Sequence, residues 1–206
     1  DIPAGVINVV PSRDHLVGEV ISTSPDVDMV AFTGSTATGK RIMANGAPTM
    51  KRLQLELGGK DAAVVAADAH LERTARGLVW GAFVNTGQTC ASIERAYVER
   101  PIFDRLVHRV VELTNELQVG DPSNDSTDIG PLTTRGQRDL VARQVDAALA
   151  AGATALTGGK VPEGEGFFYP PTVLVDLTDE MEIMREETFG PTLPMVPVDS
   201  IDEAVR

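Results

Sequence analysis

The sequence predicts an α/β fold in which part of a doubly wound parallel sheet is followed by a second α/β domain. In the first sixty residues apolar strands alternate with helices, and this β-α-β-α-β order implies parallel strands joined by right-handed crossovers. The composition is 42% hydrophobic, which is enough for a core. The pattern changes after Gly58-Gly59. We therefore expect one domain in residues 1–58 and another in residues 59–206.

The first domain is predicted to contain three strands and two helices. The apolar run at 6–10 predicts a strand, and Ser12 is expected to cap a helix that Ser24-Pro25 ends. Residues 29–32 predict a fully apolar strand of the kind buried in a parallel sheet. After a glycine-containing turn, a second helix leads to a strand at 53–57, in which Leu alternates with Gln and Glu.

The second domain shows the same kinds of pattern over a longer stretch. Helical periodicity predicts three helices, at 71–83, from Pro101 to Gly120-Asp121-Pro122, and at 135–151. Apolar runs predict strands at 62–67, 93–99, 153–157, 172–177 and 193–198. The chain opens without Met and stops inside a predicted helix, so we expect both ends to lie within a longer protein, with the second domain truncated at its C-terminus.

Charge and composition argue against several classes of function. Eighteen Lys and Arg against 30 Asp and Glu give a net charge of −12, which repels nucleic acid. No apolar run approaches the roughly 20 residues that span a bilayer, so we expect no membrane segment. The three histidines match no metal-ligand spacing. The single cysteine cannot form an internal disulfide, which fits a reducing compartment such as the cytoplasm.

The only thiol lies in a polar loop behind an amphipathic helix, in the segment Phe83-Val84-Asn85-Thr86-Gly87-Gln88-Thr89-Cys90. A lone cysteine is most often a small buried hydrophobe. The surroundings of Cys90 are small and polar, however, and Gly87 allows close approach of the backbone to a ligand. Because the thiolate is the nucleophile, such a site must stabilise the anion. We interpret Cys90 as a reactive thiol.

A carboxylate stands at the end of a predicted strand, in Leu55-Glu56-Leu57-Gly58-Gly59-Lys60. Alternation places Glu56 on the face opposite the leucines. In open α/β sheets, ligands bind beyond the carboxyl ends of the strands. The structural alternative is that Glu56 caps the glycine turn or pairs with Lys60 or Arg52. A nucleophile with a separate base that activates water can make and hydrolyse an acyl-enzyme.

A third segment, Gly34-Ser35-Thr36-Ala37-Thr38-Gly39-Lys40, follows a strand and opens a helix. Free N–H groups and the helix dipole make such a terminus suitable for a phosphate. The same letters also match the start of a nucleotide triphosphatase loop, and Asp68 could supply its second part. That alternative needs a hydroxyl for Mg²⁺ where this chain has Arg41.

Together these segments resemble the signature motifs of the NAD(P)-dependent aldehyde dehydrogenase family, including the spacing of 34 positions between Glu56 and Cys90. The resemblance implies a Rossmann-like dinucleotide-binding domain, of which residues 1–58 are the C-terminal part, and a thiol-bearing catalytic domain in residues 59–206. It implies that Cys90 forms a thiohemiacetal and then a thioester with an aldehyde. It also implies that Glu56 activates the hydrolytic water, with both side chains facing a nicotinamide.

The resemblance also implies the residues that bind NAD or NADP. The turn Gly-Ser-Thr-x-x-Gly is the family's pyrophosphate site. Glu187-Thr188-Phe189-Gly190-Pro191 resembles a further family motif, whose Glu binds the nicotinamide ribose and whose Phe lies near the nicotinamide. The cofactor-binding residues that follow are Thr33, Gly34, Ser35, Gly39, Leu57, Gly58, Glu187 and Phe189. Ser92 departs from the Ala or Gly more usual two residues after the nucleophile.

The chain matches less than half of a typical family member. The absent parts include an Asn that helps to hold the oxyanion and the segment that closes the substrate tunnel and supplies the oligomerisation strand. We therefore expect the whole enzyme to be a dimer or tetramer, and the 206 residues alone to have little or no activity. A truncated, non-catalytic homologue with a structural or interaction role is the alternative hypothesis, and a P-loop-like nucleotide-binding protein is a remote one.

Overall fold

The computed structural model describes residues 2–206 and divides the chain into two compact units, Asp1–Gly58 and Gly59–Arg206. The elements of the first unit are α1 (Leu16–Thr23), β1 (Met29–Thr33), α2 (Thr36–Gly46) and β2 (Arg52–Glu56), with a 3₁₀ turn at Ala47–Thr49. Strands β1 and β2 are parallel and are connected through α2, as the alternating pattern predicts. Thr33 lies opposite Glu56 at the carboxyl ends of both strands.

Three details of the first unit differ from the sequence-based expectation. Residues 6–10 form no strand, and their valines and isoleucine are exposed, because no strand among residues 2–206 pairs with them. Ser12 does not cap α1: its hydroxyl bonds Asp14, and His15 occupies the N-cap position. Strand β1 is not fully buried, since Val30 is the only one of its residues that is buried.

The second unit is built on a five-stranded sheet. Its elements are β3 (Ala62–Val65), α3 (Leu71–Phe83), β4 (Arg95–Glu99), α4 (Arg100–Asn115), α5 (Arg135–Ala150), β5 (Thr154–Thr157), β6 (Thr172–Val175), α6 (Glu182–Arg185), β7 (Thr192–Val198) and α7 (Ile201–Val205). The strand order is β3-β4-β7-β6-β5. All neighbouring pairs are parallel except β5 and β6, which are antiparallel. The parallel-dominated α/β class is therefore confirmed.

Helices cover both faces of this sheet. Val173 and Val175 of β6 pack in one hydrophobic cluster with α3 and α4, whereas Leu174 packs in another with α5 and α6. Because successive side chains of a strand point to opposite faces, the two clusters lie on opposite sides of the sheet. This double burial explains why the strands read as continuous apolar runs.

Helix α4 ends at Asn115, five residues before the glycine that was expected to end it. The backbone N–H of Gln118 instead donates to the Asp128 carboxylate at 2.8 Å, and its carbonyl accepts from the N–H groups of Asp128 and Ile129. Val119 forms an isolated bridge with Ile129. These pairings give the backbone an alternative to another helical turn. Pro101 is the second residue of α4 rather than the first.

Within residues 2–206, no helix combines the length and the apolar character that crossing a membrane requires.

Candidate active site

The loop that carries the thiol leaves α3 through three consecutive residues in the left-handed region. Asn85, Thr86 and Gly87 have φ values of 52°, 61° and 69°. A left-handed conformation is uncommon for any residue with a side chain, and for a β-branched residue such as Thr86 it is a strained one. Strain of this kind persists only where the surroundings fix the backbone, and it is concentrated at functional sites.

Contacts on both sides fix this strained turn. The Thr86 hydroxyl, which is buried, donates to the carbonyl of Gly130 at 3.2 Å. Gly87 lies so close to Gly190 that a Cβ added to it would be 2.2 Å from the Gly190 carbonyl oxygen. The thiol loop is therefore packed directly on the backbone of the Glu187–Pro191 motif.

The residues around the thiol are also anchored. Oε1 of Gln88 accepts hydrogen bonds from the N–H and the hydroxyl of Thr133, both at 2.9 Å. The Ser92 hydroxyl donates to the carbonyl of Gly81 at 3.2 Å, near the C-terminal end of α3. Ser92 thus bonds to the helix end, and no Ala or Gly at this position could do so. Cys90 itself is exposed, so it is not a residue of either core cluster.

A cavity of about 520 Å³ opens immediately before the thiol loop, between the C-terminal ends of α3 and α4. Its wall is apolar and aromatic with a charged rim, and it is formed by Arg76, Val79, Trp80, Phe83, Val84, Asn85, Leu113, Glu116, Leu117, Asp128 and Ile129. Cys90 is not among the residues that line it.

In the first unit, the residues predicted to bind the dinucleotide lie at the ends of β1 and β2. Ser35 caps α2, and its hydroxyl accepts a hydrogen bond from the N–H of Thr38 at 3.2 Å. The N–H groups of Thr36 and Ala37 have no partner within this unit, which leaves two donors for an anion. A Cβ on Gly39 would lie 2.7 Å from the end of the Leu57 side chain, so α2 packs closely on the segment after β2 at this glycine.

Glu56 is the last residue of β2 and is exposed, on the face opposite Leu55. Its carbonyl accepts a hydrogen bond from the N–H of Gly34 at 3.0 Å, which joins the two predicted motifs of this unit. Within the first unit, the Glu56 carboxylate has no ion-pair partner. The structural alternative in which Glu56 pairs with Arg52 is therefore absent here.

Arg41 occupies the position at which a triphosphatase loop needs a hydroxyl. Its guanidinium binds the carboxylate of Glu19 in α1 at 3.0 and 3.1 Å. This ion pair connects the two helices of the unit, which is a structural role. The arrangement gives no support to the triphosphatase alternative.

In the second unit, Glu187 and Phe189 lie on a turn between α6 and β7, and both are half-buried. Burial raises the pKa of the Glu187 carboxyl, and the negative charge of Glu94 adds to the increase. Phe189 has a φ of 50°, so this turn is strained as well. The motif was expected to bind nicotinamide and its ribose, and both side chains are placed on one short segment.

Sequence reasoning missed the ion pair beneath this turn. Nζ of Lys60 lies 2.7 Å from Oε2 of Glu94, and their side chains are 6% and 5% exposed. The sequence indicates Glu56 as a candidate partner of Lys60, whereas the structure pairs Lys60 with Glu94. No signal in the sequence distinguishes Glu94, because the strand-like run from Ile93 to Glu99 also contains the charged Arg95. No group of three or more His, Cys, Asp or Glu in residues 2–206 is placed to hold a metal ion.

Comparison with known proteins identifies relatives over the whole sequence. The profile described as "Aldehyde dehydrogenase family" matches residues 1–206. Lactaldehyde dehydrogenase of Escherichia coli is 42% identical over 206 residues, which are 99% of this chain and 43% of that protein. Betaine aldehyde dehydrogenase of Sinorhizobium fredii is 39% identical over 207 residues, covering 99% of this chain and 42% of that protein.

Solved structures give the same result. An NAD-dependent aldehyde dehydrogenase from Sinorhizobium meliloti matches with a TM-score of 0.96 and 41% identity, over 99% of this chain and 41% of that one. Lactaldehyde dehydrogenase from Escherichia coli matches with a TM-score of 0.89 and 42% identity, over 92% of this chain and 40% of that one. The chain thus spans about two fifths of the length of these relatives.

Proposed function

The chain belongs to the aldehyde dehydrogenase family, and from that premise we propose that the enzyme carrying this segment oxidises a small-molecule aldehyde to a carboxylic acid with NAD or NADP. The observation that carries the proposal is the exposed thiol of Cys90 on a strained loop packed against the turn of Phe189. Among the relatives, one is described as an NADP-dependent D-glyceraldehyde dehydrogenase and another as an NAD-dependent enzyme. The net charge of −12 fits a small-molecule substrate better than nucleic acid.

The proposed chemistry begins at Cys90. Its thiolate attacks the carbonyl carbon of the aldehyde, so that an S–C bond forms and the carbonyl oxygen becomes that of a thiohemiacetal. The nicotinamide cofactor, when bound, accepts the hydride that leaves this carbon. A thioester then remains on Cys90, held on the loop that Thr86 and Gln88 anchor.

Glu56 has the second proposed role. As a general base it takes a proton from water, and the resulting hydroxide attacks the thioester carbon. The C–S bond breaks, the carboxylic acid leaves, and the Cys90 thiolate is regenerated. A carboxylate without an ion-pair partner in its own unit suits this role, because it is free to accept the proton.

The residues proposed to hold the cofactor fit its two ends. The free N–H groups at the start of α2 fit a pyrophosphate, with Thr33, Gly34, Ser35 and Gly39 around them. Leu57 and Gly58 follow the base directly. We assign Glu187 to the nicotinamide ribose and Phe189 to the nicotinamide, since hydride transfer requires that the ring is fixed near the reacting carbon.

The relatives are more than twice as long as this chain. We therefore propose that the 206 residues alone have little or no dehydrogenase activity. As the family resemblance and the single cysteine suggest, we also propose that the whole enzyme is a cytoplasmic dimer or tetramer. NAD-dependent turnover by the isolated 206 residues would contradict the first statement.

Thiol labelling tests the proposal on the isolated chain, because Cys90 is its only cysteine and the modified residue is unambiguous. We expect iodoacetamide to react with Cys90 near neutral pH faster than with N-acetylcysteine. A second variant, Gln88→Ala, removes the hydrogen bonds to Thr133 that hold the loop. It should bring the rate of Cys90 alkylation toward that of the free thiol. A wild-type rate equal to or below that of N-acetylcysteine would favour the non-catalytic alternative.

Substitutions in the whole enzyme distinguish the role of Cys90 from that of Glu56. Cys90→Ser should abolish reduction of the cofactor. Glu56→Gln should still give a burst of about one reduced cofactor per site and then stall, because the thioester forms but is hydrolysed slowly. A Glu56→Gln enzyme that turns over at the wild-type rate would disprove the role of Glu56.

A further inference from the structure

The carboxylate of Glu94 lies below the turn that carries Phe189 and accepts three hydrogen bonds there. Oε1 accepts from the N–H of Phe189 at 2.9 Å, and Oε2 accepts from the N–H of Thr188 at 2.9 Å. Oε2 also accepts from Nζ of Lys60 at 2.7 Å, and the same ammonium group donates to the Thr188 hydroxyl at 2.9 Å. One buried ion pair therefore binds two consecutive backbone N–H groups and one side chain of the turn.

The opposite side of the turn is held by an amide from α5. Nε2 of Gln137 donates to the carbonyls of Thr188 and Phe189, at 2.8 and 3.0 Å. The peptide group between Thr188 and Phe189 is thus held at both its C=O and its N–H, and the carbonyl of Phe189 is held as well. A φ of 50° for an aromatic residue requires support of this kind.

A buried ion pair is by itself a weak source of stability. Moving two charges out of water is unfavourable, and a buried ion pair is often no better for stability than apolar residues of the same volume. Burial also lowers the pKa of Lys60, against the opposing effect of Glu94. What apolar side chains could not do is accept two hydrogen bonds from the backbone of this turn.

We propose that Glu94, charge-balanced by Lys60, is a positioning residue that fixes the Glu187–Phe189 turn in the shape that binds the nicotinamide riboside end of the cofactor. This inference rests on the proposed function, which assigns Glu187 and Phe189 to that end. A glutamine would not replace Glu94, because one of its two terminal atoms is a donor that would face a backbone N–H or the Lys60 ammonium.

The first test uses the whole enzyme and two variants, Glu94→Gln and the charge-balanced Glu94→Gln/Lys60→Met. Both should raise the KM for the cofactor and its Kd, measured by fluorescence titration without aldehyde, by about tenfold or more. The KM for the aldehyde should stay within about twofold. Glu99→Gln, which removes a carboxylate that accepts a hydrogen bond from the backbone N–H of Ala67 at the other end of β4, is the matched control and should change none of these values. A cofactor KM and Kd within twofold of wild type in both variants would overturn the proposal.

Amide hydrogen exchange in the 206-residue chain measures how firmly the turn is held, and it does not depend on enzyme activity. Exchange at Thr188 and Phe189 should accelerate by about tenfold or more in the charge-balanced variant, while α5 stays protected. Unchanged exchange at these two amides would overturn the positioning role even if the enzyme is a dehydrogenase. A wild-type enzyme without dehydrogenase activity would overturn the proposed function, and the exchange result would still decide whether Glu94 holds the turn.

If the Glu94 variants do not fold, Gln137→Ala tests the same turn from its carbonyl side, without removing a charge. It should raise the cofactor Kd and accelerate exchange at Thr188 and Phe189, by smaller factors than the Glu94 variants would. Wild-type values for both measurements would overturn the proposal.

Discussion

Gly87 has a φ of 69°, and a Cβ at this position would lie 2.2 Å from a backbone oxygen of Gly190 and 3.0 Å from one of Ala82. Gly87→Ala therefore combines a left-handed alanine, which costs roughly 1–2 kcal/mol, with a clash that no side-chain rotation relieves. We expect a loss of about 3 kcal/mol or more in the free energy of unfolding of the second unit, the size typical of strain at a special backbone position. Urea denaturation followed by intrinsic tyrosine and tryptophan fluorescence measures it, since Tyr169 of this unit is fully buried.

Gly77 provides the matched control for this substitution. It lies in the interior of α3, where an added Cβ would have nothing within 4 Å. Gly77→Ala should raise the free energy of unfolding by roughly 0.5–1 kcal/mol, because alanine restricts the unfolded chain and favours the helix. Equal effects of the two substitutions would contradict the close approach of the thiol loop to Gly190.

Glu187 predicts a pH dependence of stability whose sign follows from its raised pKa. Burial is the main cause of the increase, and the charge of Glu94 is the next. Between the unfolded value of about 4.3 and the higher folded value, the folded protein keeps a proton that the unfolded chain releases. The free energy of unfolding therefore falls as pH rises through this window, because Glu187 loses its proton in the folded protein. Below the unfolded pKa, the stabilising contribution of the protonated Glu187 is fully present.

The measurement compares wild type with Glu187→Gln in urea denaturations from pH 4 upward. As pH rises, the wild type should become less stable relative to Glu187→Gln. The slope of this difference in free energy of unfolding should lie below the one-proton limit of about 1.4 kcal/mol per pH unit. A slope of opposite sign would mean that the carboxylate is stabilised in the folded protein, and the account of burial and repulsion would be wrong.

At the scale of the element, the N-terminus of α2 is expected to serve both the fold and the cofactor. Ser35→Ala removes the side-chain hydrogen bond to the N–H of Thr38 and should lower the free energy of unfolding of the first unit by about 1 kcal/mol. Ser200→Ala is the matched control, because Ser200 caps α7 through an equally long bond of 3.2 Å to the N–H of Glu203. In the whole enzyme, Ser35→Ala should weaken cofactor binding severalfold, and Ser200→Ala should leave it unchanged. Equal cofactor affinity in both variants would argue against a pyrophosphate site at α2.

Periodicity was sufficient to predict most elements but not the ends that depend on distant partners. Helix α3 occupies its predicted range, and α5 ends one residue before the predicted Ala151, because their apolar positions repeat at helical spacing. The expected strand at residues 6–10 is wrong, since an apolar run becomes a strand only where another strand offers hydrogen bonds. The end of α4 was misplaced for a similar reason: Gln118 pairs with Asp128, ten residues away.

The candidate site shows the same division between local and distant information. Cys90, Glu56 and the turn at α2 could be proposed from short motifs, because each motif has a local chemical logic. The Lys60–Glu94 pair could not, since its members are 34 positions apart and neither motif indicates the other. Their meeting depends on β3 and β4 being neighbours in the sheet, which is a property of the topology.

At the scale of the whole molecule, the two units differ in how much apolar surface they bury. In the first unit Val30 and Ile42 are the only buried large apolar side chains among residues 2–58, and eleven such side chains are exposed. Its sheet has two strands, and isolated two-stranded arrangements are marginally stable in water. The second unit has two apolar clusters on a five-stranded sheet. Since stability scales with buried apolar area, the second unit should be much the more stable.

Two unfolding transitions should therefore be observed in the 206-residue chain. The only tryptophan and both tyrosines lie in the second unit, and Tyr169 is fully buried whereas Trp80 is 71% exposed. Intrinsic fluorescence therefore reports that unit alone, whereas far-UV circular dichroism reports the helices of both. We expect circular dichroism to begin to change at lower urea than fluorescence, because α1 and α2 unfold first. Non-coincident transitions are the standard sign that a chain does not unfold as one cooperative unit.

Limited proteolysis provides the control, and it should cut within residues 2–58 while a product that begins near Gly59 persists. Coincident curves, with no protected product, would show that the first unit is as stable as the second despite its exposed apolar side chains.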